Sequence, residues 1–223
     1  MAEGLFSRLV SAAGDAWHAY TRHEFVLRLA AGDLKEAAFR RYLVQDYLFL
    51  LQFARAWGLA LYKSDGLAEM RRAQRLVAAT LEVEIGLHLE YCRRWRLSEA
   101  DLATATEAAA TTAYTRFVLD RGVAGDRLDL ETALAPCLVG YAVIAAERMA
   151  DPDTRRDGNP YCEWFEMYSG AEYQSLAREA EAALDEQFAR RGGEGRFPRL
   201  AADFATSARL EADLWQMGLD APR

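Results

Sequence analysis

The chain has 223 residues, 52% of them hydrophobic, with 27 Lys and Arg against 34 Asp and Glu and a formal net charge of −7. The acidic balance argues against nucleic acid or an anionic membrane as the main partner, and the apolar content is ample for one large core. Three cysteines without framework spacing exclude a disulfide scaffold. The N-terminus has no basic segment followed by an unbroken apolar run, and no unbroken apolar stretch is long enough to span a bilayer, so a soluble, cytoplasmic, single-domain protein is expected.

Ala, Leu, Arg and Glu dominate, and β-branched runs with period-two alternation are missing, so the whole chain reads as helix. The breakers place helices over 4–21, 24–31, 35–63, 66–95, 99–121, 127–150, 160–189 with a break near Ser169–Gly170, and 198–219. In 35–62, Phe39, Tyr42, Leu43, Phe49, Leu50, Phe53 and Trp57 form a buried stripe at three- and four-residue intervals, and Asp46 falls in its middle. A carboxylate taken out of water is costly unless it is hydrogen-bonded or paired, so Asp46 calls for a structural partner or a ligand.

Further along, Glu84 and His88 lie four apart and share a helix face. With three histidines and no repeated Glu-x-x-His pair a two-metal site is not expected, and the pair is assigned to a solvated or intersubunit face. Ser98 and Asp101 offer an N-terminal capping signal for the next helix, on which Tyr114 shares a face with Phe117 and Val118. In 127–150 the stripe Leu130, Leu134, Tyr141, Ile144 passes through Cys137, next to Pro136, which either kinks this helix or starts it. The polar stretch 151–160 reads as a movable loop. In 196–219 the stripe Phe204, Ser207, Leu214, Trp215 passes through Glu211. Asp, Tyr, Cys and Glu on inward faces of four helices point to a pocket inside a helical bundle.

Five blocks in order, FRRYLVQDYLFLLQFARAW at 39–57, TTAYTRFVLD at 111–120, LAPCLVGYA at 134–142, PYCEWFEMYSG at 160–170 and RLEADLWQM at 209–217, resemble the TenA family. That family comprises all-α proteins of heme-oxygenase-like fold, including thiaminase II and aminopyrimidine aminohydrolase. The resemblance implies that Asp46 hydrogen-bonds an aminopyrimidine ring, that Cys137 is the nucleophile and Glu211 the acid/base, and that Phe49, Tyr114, Tyr141 and Tyr168 line the pocket. It also implies a homotetramer and a reaction without cofactor or metal. Cys92 and Cys162 are taken as structural. Two positions depart from the family pattern: Glu24 follows His23 where proline is common, and Val143 stands where a glutamate often follows the tyrosine. The second departure is expected to alter hydrogen bonding in the pocket. No histidine is placed by the sequence to help form a thiolate at Cys137.

Overall fold

A computed structural model describes residues 3–221. Its helices are α1 (Leu5–Ala13), α2 (Asp15–Thr21), α3 (Glu24–Ala31), α4 (Glu36–Tyr62), α5 (Leu67–Ala78), α6 (Ile85–Arg94), α7 (Glu99–Ala103), α8 (Ala109–Ala124), α9 (Arg127–Ala150), α10 (Cys162–Ser169), α11 (Ala171–Arg191) and α12 (Phe197–Leu219), with one π-helical turn, Ala79–Glu84, joining α5 to α6. No strand occurs among the described residues.

Three of the expected helices are subdivided, each for a local reason. Gly14, at φ 48°, turns the chain between α1 and α2, a left-handed conformation that side chains with a Cβ resist. The expected helix 66–95 runs on but widens through the π-helical turn. The expected helix 99–121 stops at Ala103: Thr104 turns the chain, its hydroxyl donating to the Ala100 and Asp101 carbonyls, and residues 105–108 are not helical before α8. The Ser98–Asp101 capping box and the break at Gly170 are both present.

Helix α9 is the axis of the molecule. It packs on α2, α4, α8, α10, α11 and α12, and every residue from Arg127 to Ala145 except Val143 is buried. By length and composition it would also suit a bilayer, but here the other helices cover it. Pro136 lies inside α9, not at its start. Having no N–H, it deprives the preceding turn of one backbone hydrogen bond. Side chains brace this region: Ser207 Oγ donates to the Ala133 carbonyl (2.9 Å) and Tyr20 Oη to the Pro136 carbonyl (3.0 Å). Tyr20 can come this close because residue 140 is glycine; a Cβ there would sit 2.6 Å from its ring.

Near the start of α9 a charged network is sealed in the interior. Arg127, fully buried, donates Nε to Glu131 (2.6 Å) and Nη1 to Ser64 (2.7 Å) and to Glu69 (3.1 Å). Gln187 and Arg190 of α11 also donate to Glu69, as does the Asp65 backbone N–H. The loop 151–160 is tied down rather than free: Asn159 Nδ2 donates to the Leu29 and Ala30 carbonyls, and the Arg155 N–H to the Ala30 carbonyl.

Candidate active site

Helices α4, α6, α8, α9, α10 and α12 converge on a buried polar cluster inside an aromatic shell. Asp46 (α4), Tyr114 (α8), Cys137 and Tyr141 (α9), Tyr168 (α10) and Glu211 (α12) are all buried there, each at 4% exposure or less. Phe49 stacks on Tyr114 at 4.8 Å between ring centroids, and Tyr141 meets Tyr168 edge-on at 5.0 Å. The floor is aromatic: Trp215 lies against Tyr42, Tyr141 and Phe25, and Trp164 against Tyr168.

The partner that Asp46 demands is a histidine. His88 Nε2 lies 2.7 Å from Asp46 Oδ2, and its Nδ1 lies 2.7 Å from the Glu84 carbonyl. A carbonyl can only accept, so Nδ1 carries a proton. A second proton must then lie between Nε2 and the carboxylate. Burial alone would lower the His88 pKa, but the Asp46 contact and the surrounding negative charge outweigh it and raise it, which favours the protonated ring. Tyr42 Oη donates to the same Asp46 oxygen (2.8 Å), lies 3.5 Å from Tyr141 Oη, and receives Trp164 Nε1 at 3.4 Å. Both contacts use Oδ2, and no hydrogen bond to Oδ1 occurs among the described residues.

The Glu84–His88 pair is therefore not on a solvated or intersubunit face, as its spacing alone implied: Glu84 is 3% exposed and His88 0%. The π-helical turn accounts for this. It ends at Glu84 and shifts the helical phase, so Val83 stays outside while Glu84 and His88 turn inward together. Burial, then the Asp46 charge, raises the Glu84 carboxyl to about 7, and Tyr168 Oη reaches its Oε2 at 3.5 Å. Among the described residues no three His, Cys, Asp or Glu side chains group to hold an ion.

Glu211 is the least satisfied group. It is fully buried, and neither carboxyl oxygen has a hydrogen-bond partner among the described residues. Burial, then the Asp46 charge, holds its pKa well above the ordinary carboxylate range; Tyr114, Tyr141 and Cys137 face it and offset that only in part, without closing a hydrogen bond. Burial likewise pushes the Cys137 thiol well up, followed by the charges of Glu211, Glu84 and Asp46. The Tyr114 hydroxyl is also buried and unpaired. Burial thus disfavours the charged forms of thiol, carboxyl and phenol alike around one point.

The two departures from the family pattern leave this cluster alone. Val143 packs in a separate apolar cluster with Leu5, Phe6 and Leu184, so no change of pocket hydrogen bonding follows from it. Glu24 starts α3 and pairs with Arg28 at the surface. Sequence reasoning missed Tyr20, Tyr42, Glu84, His88, Trp164, Tyr173 and Trp215 as parts of the site and its shell. Only the inward Asp46 hinted at one of them, by requiring a partner.

Comparison with known proteins agrees with this architecture. A family model described as TENA/THI-4/PQQC family matches residues 11–221. An uncharacterized protein of Haemophilus influenzae is 38% identical over 219 residues, 97% of this chain and 99% of its own. The aminopyrimidine aminohydrolase of Halalkalibacterium halodurans is 34% identical over 209 residues, covering 94% of this chain and 92% of that protein. A crystal structure of a TenA family transcription regulator from Silicibacter sp. superposes with a TM-score of 0.91 at 41% identity, over 97% of this chain and 96% of that one. The helical architecture is that of the heme-oxygenase-like fold, and the chain belongs to the TENA/THI-4/PQQC family.

Proposed function

We propose that this chain hydrolyses thiamin-derived aminopyrimidines, converting 4-amino-5-aminomethyl-2-methylpyrimidine to its hydroxymethyl counterpart and ammonia, with thiamin as a second substrate. The observation that carries the proposal is the buried Glu211 carboxyl with both oxygens unpaired, facing the Cys137 thiol inside an aromatic enclosure. A buried polar group left unpaired costs stability, which a flat, nitrogen-rich ligand would recover by hydrogen-bonding to it.

The ring would lie among Phe49, Tyr114, Tyr141 and Tyr168, with its amino and ring-nitrogen edge on Asp46 Oδ1, while the His88 contact fixes that carboxylate's orientation. Glu211 would give its proton to a ring nitrogen, which makes the heterocycle electrophilic, and the resulting carboxylate would take the Cys137 thiol proton as the sulfur bonds to an electron-poor ring carbon. The electrons of the disrupted ring form an exocyclic methylene and expel the amine with its bonding pair. Water adds to the methylene, the C–S bond breaks, and the thiol regains a proton as aromaticity returns. Covalent addition thereby divides one substitution into easier steps, with Glu211, its pKa raised by burial, as the acid/base.

The Silicibacter protein's name favours a second reading, a regulatory pyrimidine binder that uses the same pocket. Ammonia release by wild type and Cys137→Ala, with thiamin as the comparison substrate, decides between them. The proposal expects turnover that vanishes in the variant. Well-folded wild type that binds the pyrimidine but does not turn over either compound would favour the binder.

A further inference from the structure

A cavity of about 240 Å³ opens on the surface beside the buried cluster, lined by Glu84, Glu166, Met167, Glu172, Tyr173 and Leu176 among others. Three of its liners are carboxylates and none is a cation. Glu166 and Glu172 are exposed at its rim, whereas Glu84 is buried and belongs to the cluster through its contact with Tyr168. Tyr173 supplies the second observation. It is 6% exposed, its hydroxyl has no partner among the described residues, and it lies within electrostatic reach of Glu84 and Cys137. Two buried oxygen acceptors, the Glu84 carboxyl and the unpaired Tyr173 hydroxyl, therefore line the cavity on its side toward the cluster.

We propose that this cavity is the leaving-group end of the site, and that Glu84, with Tyr173, selects substrates whose leaving group is cationic. The inference rests on the proposed aminopyrimidine chemistry and assigns the part of the molecule that departs. A primary aminomethyl group is an ammonium ion at neutral pH and presents three N–H donors. Glu84 and Tyr173 offer the acceptors that would hold it. Kept protonated, the group leaves as neutral ammonia: the C–N bonding pair goes to nitrogen, which already bears its extra proton, and neither Cys137 nor Glu211 has to supply one at that step. The positive thiazolium of thiamin is the other cation this end would accept. Glu84 forms no bond to the ring; it acts as a specificity-determining residue.

Equilibrium binding in the Cys137→Ala background, where no turnover occurs, tests this with two probes: 4-amino-5-aminomethyl-2-methylpyrimidine, which is cationic, and its neutral 5-hydroxymethyl analogue. Adding Glu84→Gln is expected to weaken the aminomethyl compound about tenfold or more and the hydroxymethyl compound by no more than about twofold. The exposed pair Glu166→Gln and Glu172→Gln should matter less, about threefold or under, because water screens them. Tyr173→Phe is the second variant if Glu84→Gln does not fold, and it should show the same selective loss at about threefold. Parallel loss of both probes, or unchanged binding of the cationic one, would overturn the inference and leave the aminopyrimidine proposal standing. Failure of Cys137→Ala to bind either pyrimidine would overturn both.

Discussion

Two buried polar regions share helix α9 and treat their charges in opposite ways. At its start, Arg127 and Glu69 are answered by groups from α5, α9 and α11, and hydrogen bonds from Asp65, Gln187, Arg127 and Arg190 overcome burial to hold Glu69 at about 2. About three turns on, around Cys137, burial wins: Cys137, Glu211 and Glu84 all have raised pKa values, and Glu211 has no partner among the described residues. One region ties its charges to one another, as a structural tie should, although Arg127 Nη2, Glu131 Oε2 and Gln187 Oε1 keep no partner among the described residues. The other is enclosed but left incomplete, as a site awaiting a ligand should be. Changes in the first should cost stability, and changes in the second should cost activity while sparing or improving stability.

The largest contrast is expected from Cys137→Ala against Arg127→Ala. The first should lower kcat by roughly 10³–10⁴-fold, about 4–5.5 kcal/mol of transition-state stabilisation, with unfolding free energy within about 1 kcal/mol of wild type. The second leaves Glu131 and Glu69 buried without their main cation and should cost about 3–5 kcal/mol of stability, while the folded fraction keeps its kcat. Denaturant melts and active-site-normalised kinetics on the same preparations check both. A stability loss of similar size in Cys137→Ala would erase the distinction between the regions.

The pH dependence of two carboxylates sharpens the comparison, because their shifts have opposite signs. Glu84 is raised from 4.5 to about 7. Its protonated form is the one favoured in the fold, so its contribution is full below about 4.5 and is lost as pH rises through 7. Glu84→Gln should therefore be more stable than wild type at pH 8, by up to about 3 kcal/mol, with the gain vanishing near pH 4.5. Glu69 is lowered from 4.5 to about 2. Its contribution is present above 4.5 and lost as pH falls through 2, so Glu69→Gln should be less stable than wild type at pH 7 and should approach it in acid. Melting temperatures across pH 2–8 separate the pair; shifts of the same sign would refute the contrast.

How much of this was written in the sequence depends on which physical signal each residue carried. Asp46, Cys137 and Glu211 stood out because a polar group broke an apolar stripe of helical period, and the structure does bring them together with Phe49, Tyr114, Tyr141 and Tyr168. Glu84 and His88 stood out as a pair four apart but were assigned to an outer face, since their inward phase depends on a π-helical turn that no period of 3.6 foretells. Tyr42, Trp164 and Trp215 looked like ordinary core, and their polar tips acquire meaning only once Asp46 is seen beside them. The Arg127 network was invisible for another reason: its members are far apart in the chain, and a buried arginine has the same local sequence as a solvated one.

The smallest predicted effect concerns the bend that presents the thiol. Pro136 removes a backbone donor, and Tyr20 Oη caps the Pro136 carbonyl from α2, reaching it across the bare Cα of Gly140. Tyr20→Phe keeps the ring stacked on Trp215 and deletes only that hydrogen bond. It should cost about 0.5–1.5 kcal/mol of stability, as for a typical buried hydrogen bond. If the cap also sets the direction of Cys137, kcat should fall by a few-fold at unchanged KM, because the ring-binding groups on α4, α8 and α10 are untouched. Stability lost without any change in kcat would mean that Pro136 and Ser207 hold the turn on their own, and that Tyr20 belongs to the structural half of α9.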